Sequence, residues 1–528
     1  MKHLLILAGI FGMMDVYSQS GKPGHVIIIM ADQLRADVLG AQTPNIETLR
    51  KDAVTFTRAY CASPLCAPSR ASFFTGLYPN RTGSMINPWS KEDEIYGTVK
   101  AGIPSLYTIM ENSWDSRHVG KQHFFTAEKI DRSAAAGTKW VTQEDYSSWM
   151  STQKKDKPGG KRFKAEAPEL VSGKFTRLRS YSTPRTELYK EGIDYFLDRY
   201  ITDESIRSIR EWDKSRPLLL NTMYLAPHPP FHIPEPYFSM YQPGGFHLPE
   251  NVGRWYPGQS PLQMYSLTGF IGSRYTREQW DNTWAKYLGL VKLLDDEVGR
   301  LIKALREEGL YDSALIIFTS DHGEMLGSHS LWQKMCMYEE SVRVPLMVKL
   351  PKEYPVKNRN ITTPVSLVDV LPTILDLNGT AASPGQTDGK SLVPLLAGSD
   401  KERDAVFIQY DGNGSLGSAQ RCLVDGDFKL IVDTFREETF LEMYDMKRDP
   451  QETQNLALNR ENERLLNQLM TKLQNRMDGS GDRIRFGDDI VKRFHENYAG
   501  REPELTVPSG ANREGGSDKA RKQTTKTN

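Results

Sequence analysis

The chain has 528 residues, and its 67 Lys and Arg are balanced by 67 Asp and Glu, so formal net charge is zero. Length predicts two to four domains, and the apolar and charged fractions of 38% and 25% are those of an ordinary soluble globular protein. Nothing global favours nucleic acid or an anionic membrane, so attraction for an anionic substrate must be local.

The N-terminus reads as an export signal. Lys2 and His3 precede an apolar run from Leu4 to Met14, and Val16-Tyr17-Ser18 supplies small residues near a cleavage point. Residues 1–18 are therefore expected to be a signal peptide, placing the mature protein in the periplasm or outside the cell. A buried first strand is the alternative, but a stronger strand follows at Val26–Met30. No later stretch approaches 18 uninterrupted apolar residues, so no membrane span is expected. Four cysteines, Cys61, Cys66, Cys336 and Cys422, are few for a disulfide framework in a chain of this length.

Short apolar runs alternate with helical patterns through the first three quarters of the chain. Val26–Met30, Pro217–Asn221 and Leu315–Thr319 read as buried strands, and Tyr287–Arg306 carries an apolar face through Leu290, Leu294, Val298, Leu301 and Leu305. This pattern predicts an α/β domain over residues 22–398, with helices on both faces of a large sheet. Beyond Gly398 the segments Val406–Tyr410, Arg421–Val424 and Lys429–Val432 read as short strands, followed by an amphipathic helix from Glu461 to Met477. Residues 399–500 are thus expected to form a smaller α+β domain. Residues 508–528, rich in Gly, Ser, Lys and Thr, read as a disordered tail.

Three groups of residues carry candidate chemistry. Cys66-Ala67-Pro68-Ser69-Arg70 leads to Gly76, with Pro68 in a first helical turn and Gly76 beyond the helix end. Cys66 then sits at a helix N-terminus, which favours an anion; a buried structural cysteine is the bland alternative. Asp32 and Gln33 follow one apolar strand, and Asp321 and His322 follow another. Adjacent strand ends would bring their oxygens onto one cation, though each Asp alone is also a helix cap. The third group is cationic: Lys121 and His123, His228 within a Pro-rich loop, and Lys334. Between Lys154 and Arg179 nine basic residues face three acidic ones. That segment reads either as a solvated loop or as a pocket rim for anionic groups, through Arg177 and Arg179.

Cys-x-Pro-Ser-Arg followed by Thr75-Gly76-Leu77-Tyr78-Pro79 resembles the signature of the type I, formylglycine-dependent sulfatases, and ordered matches extend over about residues 24 to 457. The resemblance implies an alkaline-phosphatase-like α/β/α sandwich with a large mixed sheet and a small antiparallel C-terminal sheet. It implies oxidation of Cys66 to formylglycine (3-oxoalanine) by a formylglycine-generating or anaerobic sulfatase-maturating enzyme, and one Ca²⁺ held by Asp32, Gln33, Cys66, Asp321 and His322. Gln33 departs from the commoner second aspartate of the family. One hydroxyl of the hydrated aldehyde would attack sulfur and the other would expel sulfate. Asp321 would accept the attacking proton, His228 with Lys334 would protonate the leaving oxygen, and His123 would assist recovery of the aldehyde. Arg70 and Lys121 would fix the formylglycine. The implied substrate is a sulfated carbohydrate, such as a glycosaminoglycan or other polysaccharide fragment. A phosphonate or phosphodiester hydrolase of the same superfamily and a non-catalytic secreted glycan-binding protein are the rival readings.

Overall fold

The computed structural model describes residues 23–131, 137–356, 358–380, 385–399 and 403–500. The expected signal peptide and C-terminal tail lie outside the described residues. Among the described residues, no helix is long and apolar enough to cross a membrane.

Among the described residues the main sheet has nine strands. Its order runs Asn360–Ile361, Val54–Tyr60, Arg343–Lys349, Ala314–Ser320, His25–Asp32, Leu218–Pro227, Asp115–Gly120 and Thr138–Thr142, with Val365–Ser366 also pairing with Val54–Tyr60. The strands from Ala314–Ser320 to Thr138–Thr142 are parallel, whereas Arg343–Lys349 runs antiparallel to both its neighbours. Residues Val26 to Ala31 are fully buried, as a strand covered on both faces requires. The strand expected at Pro217–Asn221 runs on to Pro227.

The long helix begins at Arg277, ten residues before the apolar pattern was expected to start, and ends at Glu307. Its first turns are polar, but Thr276 and Gln279 form a capping box and Trp280 and Trp284 bury the added length. The second sheet is an antiparallel meander of Val406–Tyr410, Ala419–Asp425, Phe428–Phe435 and Glu438–Asp445. Leu466, Leu469, Leu473 and Met477 bury one face of the helix Glu463–Gly479 against it. A further helix, Ile490–Tyr498, was not anticipated. All four cysteines are free and buried.

The small sheet is bonded to segments of the main fold. The amide of Gln420 donates to the Met335 carbonyl at 3.1 Å, and Gln409 N–H donates to Ala62 O at 3.0 Å. Lys429, fully buried, donates to Glu339 at 2.9 Å across the domain boundary and to Glu452 at 2.8 Å. Removing one member of such a cluster leaves buried charge without compensation. Lys429→Met is therefore expected to destabilise the protein by about 3–5 kcal/mol, measured as a drop in the urea midpoint at unchanged slope.

Candidate active site

Four parallel strands end side by side at one edge of the sheet, and each delivers a polar residue there. His25–Asp32 ends in Asp32, Ala314–Ser320 leads into Asp321, Asp115–Gly120 into Lys121, and Leu218–Pro227 into His228. Ala31 is level with Ser320, which sets Asp32 beside Asp321. Gly120, at φ 112°, permits the close approach that brings Lys121 in. A Cβ there would collide with the Met223 carbonyl, which accepts the Lys121 N–H at 2.8 Å. The carboxyl edge of parallel strands is the usual ligand site of open α/β sheets.

The helix Cys66–Thr75 points its N-terminus at this edge, and every one of its residues is buried. Gly76 closes it in the left-handed region, with φ 68°, donating to Ser72 O at 2.8 Å. Arg70, one turn into the helix, donates through Nε to Asp321 Oδ2 at 2.9 Å and through Nη1 to Lys121 O at 3.3 Å. Ser69 Oγ donates to Asp321 O at 2.5 Å. These bonds tie the helix that bears Cys66 to two of the strand ends.

Asp32, Cys66, Asp321 and His322 are all buried, and one ligand atom from each lies within 4.8 Å of the others. Ligands that each lie about 2.0–2.6 Å from one cation can be no more than about 5 Å apart, so this group fits a single divalent ion. His322 Nδ1 lies 3.0 Å from Gly323 O, so Nδ1 carries the proton; the Nε2 lone pair faces Cys66 Sγ at 3.1 Å, with Asp32 Oδ1 and Asp321 Oδ1 3.8 and 3.6 Å away. Asp32 keeps its second oxygen on Lys121 Nζ.

Gln33 is placed differently from the expected metal ligand. Its side-chain oxygen accepts from Lys334 Nζ at 2.5 Å and its NH₂ donates to Glu324, while its backbone N–H donates to Asp321 Oδ1 at 3.2 Å. Its backbone is left-handed, φ 67°, and its side-chain amide lies between Lys334 and Glu324. Gln33 therefore enters the site as the anchor of a cation.

Three cations, Arg70, Lys121 and Lys334, surround two carboxylates. Burial opposes ionisation of Asp321, but His322, Arg70, Lys121 and Lys334 together hold its carboxyl well below the usual range. Burial lowers Lys121 to about 7 against the pull of Asp321. Burial, with Lys334 and Lys121 nearby, keeps His228 neutral, and His123 is held neutral by burial and by Lys121 and Arg70. His123 Nδ1 and Arg70 Nη2 are buried without a hydrogen-bond partner; both face the charged centre. The Cys66 thiol is pushed up by burial, which makes the unmodified side chain a poor nucleophile.

The family model Sulfatase matches residues 24–380, and that for N-sulphoglucosamine sulphohydrolase, C-terminal, matches residues 327–478. The chain belongs to the sulfatase family. It is a sulfuric ester hydrolase with the alkaline-phosphatase-like fold. This sulfatase is 30% identical to a choline-sulfatase of Rhizobium meliloti over 459 residues, covering 83% of each chain. It is 25% identical to an ulvan-active sulfatase of Formosa agariphila, covering 91% of this chain and 86% of that one. Its fold matches a phosphonate monoester hydrolase of Agrobacterium radiobacter at a TM-score of 0.69, with 24% identity over 86% of this chain and 96% of that chain.

Asp32, Gln33, Cys66, Arg70, Lys121, Asp321, His322 and Lys334 are buried around this centre, whereas His123 and His228 are partly exposed. Three supporting residues were not singled out. Glu324 receives the Gln33 amide, Asn87 Oδ1 accepts the Ala67 N–H at 3.2 Å, and Asp198 Oδ1 accepts the N–H groups of Leu225 and Ala226 at 2.8 and 2.9 Å, just before His228. Glu324 was open to view beside Asp321-His322-Gly323; Asn87 and Asp198 carry no sequence signal. The basic segment forms a hairpin of Lys164–Val171 and Phe175–Ser182. Its alternation turns Arg177 inward, where Nε donates to Glu169 at 2.7 Å and Nη2 lies 3.6 Å from Asp93. Arg177 is thereby ion-paired, and Arg179, two residues on and on the same face of the strand, reaches the same carboxylate at 3.5 Å.

Proposed function

We propose that this enzyme removes sulfate from a carbohydrate, using a formylglycine derived from Cys66 and one divalent cation, Ca²⁺, held by Asp32, Asp321, His322 and residue 66. The observation that carries this reading is the convergence of those four buried residues within 4.8 Å beneath a helix N-terminus. A formylglycine at residue 66 would supply a hydrated aldehyde as the nucleophile, and a cation held by Asp32, Asp321 and His322 would draw charge from the sulfate oxygens.

The chain's own residues do the rest. Asp321, kept ionised by its cationic neighbours, takes the proton of the attacking hydroxyl. Arg70 holds that carboxylate by its 2.9 Å bond, and Lys121 holds Asp32. Lys334, steered by Gln33, meets a sulfate oxygen. His228 is neutral in the free enzyme because burial and Lys334 disfavour its charge. The negative sulfate ester offsets that penalty, so the imidazole gains a proton on binding and donates it to the leaving oxygen. His123 assists recovery of the aldehyde.

The ulvan-active sulfatase of Formosa agariphila supports the carbohydrate reading. The signal-like residues 1–18 support export to the periplasm or beyond, where a maturating enzyme would have converted Cys66 during passage.

The fold match to a phosphonate monoester hydrolase makes phosphorus esters the competing substrates. Paired rates on 4-nitrophenyl sulfate, 4-nitrophenyl phosphate and 4-nitrophenyl phenylphosphonate separate them. Sulfate release at least about tenfold faster in kcat/KM, worth about 1.4 kcal/mol, is the expected result; the reverse order would move the enzyme to phosphorus chemistry. The His322 imidazole makes this a mixed nitrogen–oxygen site, so a first-row transition metal such as Mn²⁺ or Zn²⁺ is the competing ion. Metal content of purified enzyme is expected to show one bound cation per chain, lost with activity to a chelator and restored by Ca²⁺ with a rise in Tm. Restoration by Mn²⁺ alone would assign the site to that metal.

A further inference from the structure

Trp89 is a large apolar side chain left 46% exposed. Two chains of contacts tie it to elements that carry the site. On one side, its N–H donates to Asn87 O at 2.9 Å, and the Asn87 side chain accepts the N–H of Ala67, next to Cys66, at 3.2 Å. Two peptide links span at most about 7 Å, so the Trp89 backbone lies near that of Asn87, whose side chain meets the start of the helix that presents residue 66. On the other side, Trp89 packs on Tyr181, with ring centroids 5.9 Å apart. The next residue, Ser182, accepts the Trp332 indole N–H at 2.7 Å through its carbonyl, two residues before Lys334. Trp89 therefore bridges the elements that carry the nucleophile and the sulfate-binding lysine.

The indole is also held rigid. Asn87 N–H donates to Asn413 O at 2.7 Å, and its NH₂ donates to Asn413 Oδ1 at 3.1 Å, fixing the loop that bears Trp89 to the C-terminal domain. Gly414 is packed so tightly that a Cβ would meet the Trp89 ring at 3.0 Å. The guanidinium of Arg179 lies 5.4 Å from the indole centroid. Glu169 is already satisfied by Arg177 at 2.7 Å, Tyr181 OH at 2.7 Å and Gly414 N–H at 2.8 Å. Arg179 shares Glu169 with Arg177 at 3.5 Å and donates to Gly414 O at 3.4 Å, both near the long limit of a hydrogen bond.

We infer that Trp89 and Arg179 form a subsite for the sugar adjoining the sulfated residue, the indole stacking on its ring and the guanidinium meeting a carboxylate or second sulfate on it. This rests on the carbohydrate reading above and specifies its substrate as an acidic oligosaccharide. A flat, rigid aromatic surface suits the apolar face of a pyranose, and a planar fork suits a carboxylate or sulfate.

Matured Trp89→Ala, Trp89→Phe and Arg179→Gln enzymes are to be compared with the parent on 4-nitrophenyl sulfate and on unsaturated-uronate disaccharides from heparin and chondroitin sulfate. KM for the cleaved disaccharide should rise about tenfold in Trp89→Ala and about fivefold in Arg179→Gln, while Trp89→Phe stays within about threefold of the parent. Rates on 4-nitrophenyl sulfate should stay within about twofold. Equal effects on both substrate classes, or none on the disaccharide, would overturn the subsite and leave the sulfatase reading standing. A parent enzyme that cleaves 4-nitrophenyl sulfate but no disaccharide would overturn the subsite and the acidic-sugar substrate together.

Discussion

Cys66→Ser should lower turnover by on the order of 10⁴-fold or more in a host that matures only cysteine, while folding is nearly unchanged. Residue 66 is 2% exposed, and a serine fits the same space with its hydroxyl near His322 Nε2. The lost function is chemical: a serine hydroxyl cannot form the hydrated aldehyde whose second hydroxyl expels sulfate. Steady-state rates on 4-nitrophenyl sulfate, with a matched thermal melt, check both halves. Normal activity in a sequence-verified Cys66→Ser protein would refute the assigned nucleophile.

Asp321→Asn should lower kcat by about 10²–10⁴-fold, the usual worth of a positioned proton acceptor, and weaken cation binding as well. The carboxylate does three things at once. It accepts Arg70 Nε at 2.9 Å, it receives the N–H groups of Gln33 and His322 at 3.2 and 3.0 Å, and it supplies one of the four clustered ligand atoms. Asparagine keeps the size but leaves Arg70, Lys121 and Lys334 facing one carboxylate instead of two. Metal affinity is expected to fall by about 100-fold or more, beyond what loss of a supporting partner produces. Calorimetric titration of the metal-free enzyme measures this, and an unchanged affinity would take Asp321 out of the ligand set.

The reactive residues were legible because they follow strongly patterned elements. Asp32 and Asp321 end fully buried apolar strands, and Cys66 opens a helix bracketed by Pro68 and Gly76. Sheet topology then forces their meeting, since parallel neighbours present their carboxyl ends together. What stayed hidden depends on contacts distant in sequence. Asn87 serves the site only because its loop folds back onto Ala67, and Asp198 only because its helix packs on the strand that leads to His228. Gln33 was legible as a site residue, but its direction was not, because that depends on Lys334 some 300 residues away. For Arg177 the count of charges showed a basic segment but not its partner, since the pairing with Glu169 depends on the hairpin register.

The most direct test of the account is the mass of the peptide containing residue 66, taken from active enzyme purified from its native host. Formylglycine at position 66, in an amount that tracks specific activity across preparations, is the predicted result. Fully active protein carrying only an unmodified cysteine there would contradict it.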